Sequence, residues 1–175
     1  PPRSTLFPYT TLFRSELAAV MISLDAGMVF HDASAGAQTI PAIDFFAAGA
    51  RHPGILTRVT IPLAPRSVLS YARVSKTPDL DIPLLAVAAR AVVLDGVITD
   101  VRVVVNTATG FPERMVRVEE ALNDRPLNPA IIDEGLAGFS SQRPDPQANE
   151  YKTQMYEVSL KSALEELLQA ARKAA

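Results

Sequence analysis

Asp95-Gly96 separates two runs rich in β-branched residues, Leu84–Leu94 and Val97–Val105. Both residues of that dipeptide tolerate positive φ, and a two-residue turn between two such runs is the strongest short-range hairpin signal a sequence carries. It commits the middle of the chain to antiparallel β structure. Two upstream segments have the period-2 pattern of half-buried strands. Ile55–Pro62 (ILTRVTIP) alternates Ile55, Thr57, Val59 and Ile61 against Leu56, Arg58 and Thr60. Val68–Ser75 (VLSYARVS) turns Leu69, Tyr71 and Arg73 to one side. The expectation is an antiparallel sheet of three to four strands.

The flanks read differently. Glu16–Leu24 has Leu17, Val20, Met21 and Leu24 at helical spacing, and Gly27 is expected to stop that helix. Short strands at Met28–Phe30 and Thr39–Pro41 follow, then a helical turn over Ala42–Phe46 ended by Gly49. Downstream of the hairpin the pattern is α. Pro112 opens a helix to Leu122, and Asn128-Pro129 caps a second over Ala130–Phe139. Asp145-Pro146 repeats the device ahead of a long helix, Gln147–Ala174, whose Leu160, Leu164, Leu167, Leu168 and Ala171 form one apolar stripe. Strands followed by helices, not alternating with them, predict an α+β fold with the C-terminal helices packed on one side of the sheet.

Thr5–Ser15 (TLFPYTTLFRS) fits none of this. It resembles a translated frame of a sequencing-library adapter, and a signal peptide is the poorer reading. Pro8, Thr10 and Thr11 break its apolar stretch, and no small-residue cleavage site follows. Residues 1–15 are therefore expected to be non-native, with the native sequence running from Glu16.

A net charge of −2 argues against a nucleic-acid binder that works by charge. The longest apolar run, Leu84–Leu94, contains Arg90 and does not reach membrane-spanning length. Zero cysteines exclude disulfides and thiolate metal sites within this sequence, and a reducing, cytoplasmic setting is the expectation. No Walker-type or GxGxxG loop occurs, and His31 and His52 are the two imidazoles. Glu119-Glu120 and Glu165-Glu166 sit on expected helices beside Arg117 and Lys161, as solvated helix faces do. His31-Asp32 lacks a nucleophile nearby, and His52-Pro53-Gly54 reads as a turn entering a strand. The loop Lys76–Asp81 carries a cation, a hydroxyl and two acids, and loops on a rigid sheet are where ligand contacts gather. On the residues alone, a solvated polar loop is the plainer reading. No catalytic group and no metal ligand set is identified.

The order of the pieces is more specific than any one of them. TIPAIDFF, then GILTRVTIP, then SYARVSKTPDLDIPLLAVAARAVVLDGVITDVRVVVNTATGFPERM, resembles the flavoprotein subunit of molybdenum hydroxylases such as carbon monoxide dehydrogenase and xanthine dehydrogenase. The tail NEYKTQMYEVSLKSALEELLQ is similar to that family's closing helix, so the likeness runs from about Glu16 to Ala171.

The resemblance implies that residues 16–62 are the end of an FAD-binding domain and 63–175 the flavoprotein C-terminal domain. It implies FAD as cofactor, and it puts the family's glycine-rich pyrophosphate loops before Glu16. A molybdenum-binding large subunit and an iron–sulfur small subunit would be the partners, carrying the molybdenum cofactor and the iron–sulfur clusters. Electrons would pass through FAD to NAD or another acceptor.

Carried over one at a time, Glu16 falls at the aspartate of the family's S-x-x-D-L motif. Leu56 matches a strand leucine whose backbone approaches the flavin, and Tyr71 leads the Y-x-K strand. Ala72 replaces that strand's lysine, so the cation contact is absent or moves to Arg73 or Lys76. Thr77 stands where arginine is common, and Asp81 lies in the loop like LDIA. Glu16, Leu56, Tyr71, Lys76 and Asp81 are thus the expected cofactor contacts. The rival reading is a non-catalytic scaffold that docks partner subunits without touching flavin. Upstream DNA encoding GG-N and AGG-T-x-L-like loops would separate the two.

Overall fold

The turn at Asp95-Gly96 has positive φ at both residues, 49° and 77°, and it pairs Leu94 with Val97. That backbone twist matches the right-handed twist of the strands it joins. In a computed structural model describing residues 17–50, 52–75, 83–107, 111–142 and 150–174, this hairpin is the centre of the fold. Its strands are β5 (Pro83–Leu94) and β6 (Val97–Thr107), and β4 (Ser67–Ser75) pairs antiparallel with β5. Two two-residue strands, β7 (Glu113–Arg114) and β8 (Arg125–Pro126), extend the far side of β6. The three long strands are the antiparallel core expected, and the short ones bring the sheet to five.

Ile55–Thr60 (β3) does not join this sheet. It pairs with β1 (Gly27–Asp32), whose other edge takes β2 (Gly36–Pro41), in a separate three-stranded sheet of order β2-β1-β3. Close backbone approach explains the choice. A Cβ on Gly54 would lie 2.7 Å from the His31 carbonyl oxygen, and one on Gly27 would lie 2.8 Å from Thr60 Oγ1. The hydroxyls of Thr57 and Thr60 donate to the Val29 and Gly27 carbonyls, pinning the pair. Gly27 therefore serves strand pairing and does not stop the preceding helix. That helix, α1 (Ala18–Ser23), is closed by Asp25 at φ 51°, with Ala26 N–H bonding to Met21 and Asp25 N–H to Ile22. The helical turn α2 (Ala42–Ala47) ends the same way on Gly49, at φ 83°.

The α+β division holds. α3 (Val116–Leu122), α4 (Ile131–Ser141) and α5 (Glu150–Ala174) pack on one face of the five-stranded sheet. Alternation along the strands sends Leu85, Val87, Val103 and Val105 into that core, against Phe139, Leu160 and Leu164. Burying a leucine of this kind contributes roughly 2 kcal/mol. Ser70 donates to the Ala163 carbonyl at 2.6 Å and ties β4 to α5.

α3 begins at Val116, later than the Pro112 start expected. Glu113 and Arg114 remain extended because β6 offers them partners, and Met115 N–H donates to the Val103 carbonyl at 2.7 Å. Asn128 is not the N-cap expected, and the helix starts one residue later than the Ala130 start expected. Asn128 Oδ1 accepts from Ala130 N–H to form a turn, and α4 starts at Ile131. The start of the last helix before Glu150 lies outside the described residues.

The opposite face of the five-stranded sheet is covered by α1 and the smaller sheet. Ala88 and Val104 reach a second core built on Ala18, Ala19, Met28, Phe30 and Phe46. Among the described residues no helix is long and apolar enough to cross a membrane.

Candidate functional site

Strand register lays out the second face row by row. Tyr71 stands opposite Ala88, which stands opposite Val104, which stands opposite Arg114. One row toward the ends of β4 and β6 come Arg73, Ala86 and Asn106. One row the other way come Leu69, Arg90 and Arg102. Alanines in the middle of the face leave room for α1, whose Ala18 and Ala19 are fully buried.

Of the expected contacts, Leu56 and Tyr71 are brought to one region. Both are half-buried and pack against this second core, Leu56 through its pairing with Phe30. Ala72 points the other way, into the first core. The cation that follows Tyr71 on its own face of β4 is thus Arg73, two residues on, and not the residue at position 72. Glu16, Lys76, Thr77 and Asp81 lie outside the described residues.

Charge on this face concentrates around Arg90, whose side chain is 4% exposed. Arg90 Nη2 donates to Asp25 Oδ2 at 3.2 Å and to Asp100 Oδ2 at 2.5 Å. Arg102 takes the other oxygen of each carboxylate, Asp25 Oδ1 at 3.4 Å and Asp100 Oδ1 at 2.9 Å. Two aspartates and two arginines thus close a square.

Asp100 reaches it because β6 bulges there. Arg90 pairs with Arg102 and Val92 with Thr99, so Asp100 and Val101 face one residue on β5. Asp100 sits at φ 48°, and Val101 stays in the first core. None of the four residues was legible as a site residue in the sequence. The signal was Arg90 inside an eleven-residue apolar run, since an arginine buried in a central strand has to be paired.

A second charged unit adjoins it. Glu119, 5% exposed, accepts from Val103 N–H at 2.9 Å and from the Arg114 guanidinium through both oxygens, at 3.1 and 2.5 Å. The guanidinium's hydrogen bonds to Glu119, against burial and with smaller help from the charges of Glu119, Asp25 and Asp100, raise the Arg114 pKa above its usual value. Glu119 is therefore a buried, paired carboxylate and not the solvated helix face expected. Glu120, paired with Arg117, is exposed as expected.

Two crevices flank Arg114. One of about 70 Å³ runs beside Ile22, Asp25 and Pro41. The other, of about 320 Å³, is lined by Asp100, Arg102, Glu119, Glu120 and Asn123.

His52 is held by packing and a backbone hydrogen bond. His52 stacks on Phe30 with centroids 4.2 Å apart, and its Nδ1 accepts from Gly54 N–H. Asp32 does not orient His31. It accepts from Ser34 Oγ and from the backbone N–H groups of Ser34 and Ala35, and these hydrogen bonds, the hydroxyl first, lower its pKa to about 2. Among the described residues no group of His, Cys, Asp or Glu could hold a metal ion.

A flavin dinucleotide does not fit the described residues as a complete site. Its two phosphates need several aligned backbone N–H donors, and no two of the eight glycines of the sequence are adjacent. The larger crevice presents three carboxylates against two arginines that are already paired. Leu56 and Tyr71 offer half-buried apolar surface at the edge of the second core.

Comparison with known proteins places this geometry. No curated protein matches the sequence. Among solved structures, a chain of carbon monoxide dehydrogenase from Hydrogenophaga pseudoflava superposes with a TM-score of 0.77 at 17% identity, covering 91% of this chain and 60% of that one. Reconstituted CO dehydrogenase from Oligotropha carboxidovorans gives 0.72 at 21% identity, with 88% and 56% covered. Quinoline 2-oxidoreductase from Pseudomonas putida 86 gives 0.70 at 18%, with 91% and 57% covered. At these identities the likeness shows the fold, and the chain spans under two thirds of each matched chain. Residues 70–167, more than half of the sequence, match the CO dehydrogenase flavoprotein C-terminal domain, and the chain belongs to that family.

Proposed function

We propose that this chain is the C-terminal portion of the FAD-binding subunit of a molybdenum hydroxylase, an oxidoreductase complex. In that reading the whole enzyme oxidises a small substrate at molybdenum and passes electrons through iron–sulfur clusters and FAD to NAD or another acceptor. Redox chemistry belongs to the cofactors, while the protein orients the flavin and excludes water around it. This chain's contribution is a wall: Leu56 on β3, Tyr71 on β4, and Lys76 and Asp81 beyond the end of β4 in the sequence. Partner subunits carrying molybdenum and iron–sulfur centres follow from the same reading. The observation that carries it is the family match over residues 70–167.

The test joins a family-like N-terminal segment, with its glycine-rich loops, to residues 16–175 and measures flavin affinity by fluorescence titration. Lys76→Ala is expected to weaken binding by about tenfold, the scale of one charge-assisted contact. Glu165→Ala, exposed on α5 across the sheet, is expected to leave it unchanged. Equal affinities in the two variants would favour the scaffold reading, in which this domain docks partners and never touches flavin.

A further inference from the structure

The two aspartates of the charged square occupy backbone positions that glycine would fill with less strain. Asp25 is the left-handed residue closing α1, at φ 51°, and Asp100 is the left-handed residue of the β6 bulge, at φ 48°. Aspartate tolerates this region better than most residues, yet it remains less favourable there than glycine. Strain held at two separate turns, with both carboxylates converging on the same two guanidiniums, points to the charges as the reason.

The square also crosses a boundary. Asp25 belongs to the unit formed by α1, α2 and the small sheet, whereas Arg90, Asp100 and Arg102 belong to the hairpin. On the sheet side the apolar contact across that boundary is made by Ala88 and Val104, with the half-buried Tyr71 beside them. Apolar burial is non-directional and gives attraction without register. Asp25 binding one oxygen to each arginine gives both a position and an angle.

We propose that Asp25, through Arg90 and Arg102, is an electrostatic latch that fixes the orientation of the α1–β3 unit on the five-stranded sheet. The hairpin does not need it, because Asp100 still pairs with both arginines when Asp25 is removed. The unit does not need it to fold, because its own core of Met28, Phe30 and Phe46 is intact. Relative placement is what depends on it. The inference does not depend on the flavin reading, since it concerns contacts wholly inside this chain.

The test uses the full chain, which has no native cysteine, so spin labels can be placed at will. Ala33→Cys in the β1–β2 turn and Glu166→Cys on α5 are both exposed, and they report the distance between the two bodies. Asp25→Gly relieves the backbone while deleting the charge, and Asp25→Asn deletes the charge alone. Both are expected to broaden the distance distribution at least about twofold. Amide exchange should rise about tenfold across residues 18–32 and stay within about twofold across β5 and β6, the signature of local opening.

A residue that merely closed a helix would behave oppositely, with Asp25→Gly as tight as the parent or tighter. That result, an unchanged distribution in Asp25→Asn, or loss of the whole fold in both single variants would overturn the proposal.

Discussion

Glu119 shows how the same residue type changes meaning with burial. Beside Glu120 and Arg117 in the sequence it reads as half of a solvated acidic pair, but α3 turns it inward to the Arg114 guanidinium and the Val103 N–H. Helical spacing cannot signal this, because the partner strand β7 exists only through its pairing with β6. The pair is also asymmetric, Glu119 being 7% exposed in its side chain and Arg114 32%. Removing the cation leaves a buried carboxylate with one remaining donor, whereas removing the carboxylate's charge leaves a guanidinium that water can still reach. Arg114→Met is therefore expected to lower unfolding free energy by about 3 kcal/mol. Glu119→Gln, which keeps an acceptor for Val103 N–H, should lower it by about 1 kcal/mol. Urea unfolding monitored by circular dichroism measures both, and equal losses would show that burial does not set the balance.

At the scale of elements, the hairpin was legible because its turn chemistry is local: Asp95-Gly96 dictates the backbone whatever surrounds it. The stripe on α5 was legible for the same reason, and Leu160, Leu164, Leu167 and Leu168 are all buried. Pairing partners were not legible. β3 alternates as well as β4 does, and only the close approaches at Gly27 and Gly54 assign it to the smaller sheet. Glycine does comparable work between helices. A Cβ on Gly138 of α4 would lie 2.6 Å from the Arg117 carbonyl oxygen of α3, which is backbone and cannot swing aside. Gly138→Ala is expected to destabilise the protein by about 2 kcal/mol through forced separation of α3 and α4. Its helix-propensity gain of about 1 kcal/mol works the other way. A thermal melt unchanged or raised in Gly138→Ala would mean that the crossing is looser than the geometry shows.

For the whole molecule, fold class and family followed from the order of the strands and helices, while much of the site fell beyond reach. Leu56 and Tyr71 meet at the second core, Ala72 faces away from it, and the charged square around Arg90 lies in contacts between residues as far apart as Asp25 and Arg102. The sequence signals that Arg90 must be paired, but its spacing does not say with what. The adapter-like reading of residues 1–15 gives a whole-chain prediction. Their deletion should leave the melting temperature within about 1 °C, because a segment without periodicity brings no face to bury. A fall of several degrees would return them to the fold. On the function proposed above, this chain supplies one wall of a flavin site and does not hold the dinucleotide alone, since partial contacts do not offset the immobilisation of so flexible a ligand. The absorbance spectrum of the purified chain after incubation with FAD and desalting tests it most directly. A flavin-to-protein ratio below about 0.1 is expected, and a ratio near one would contradict the account.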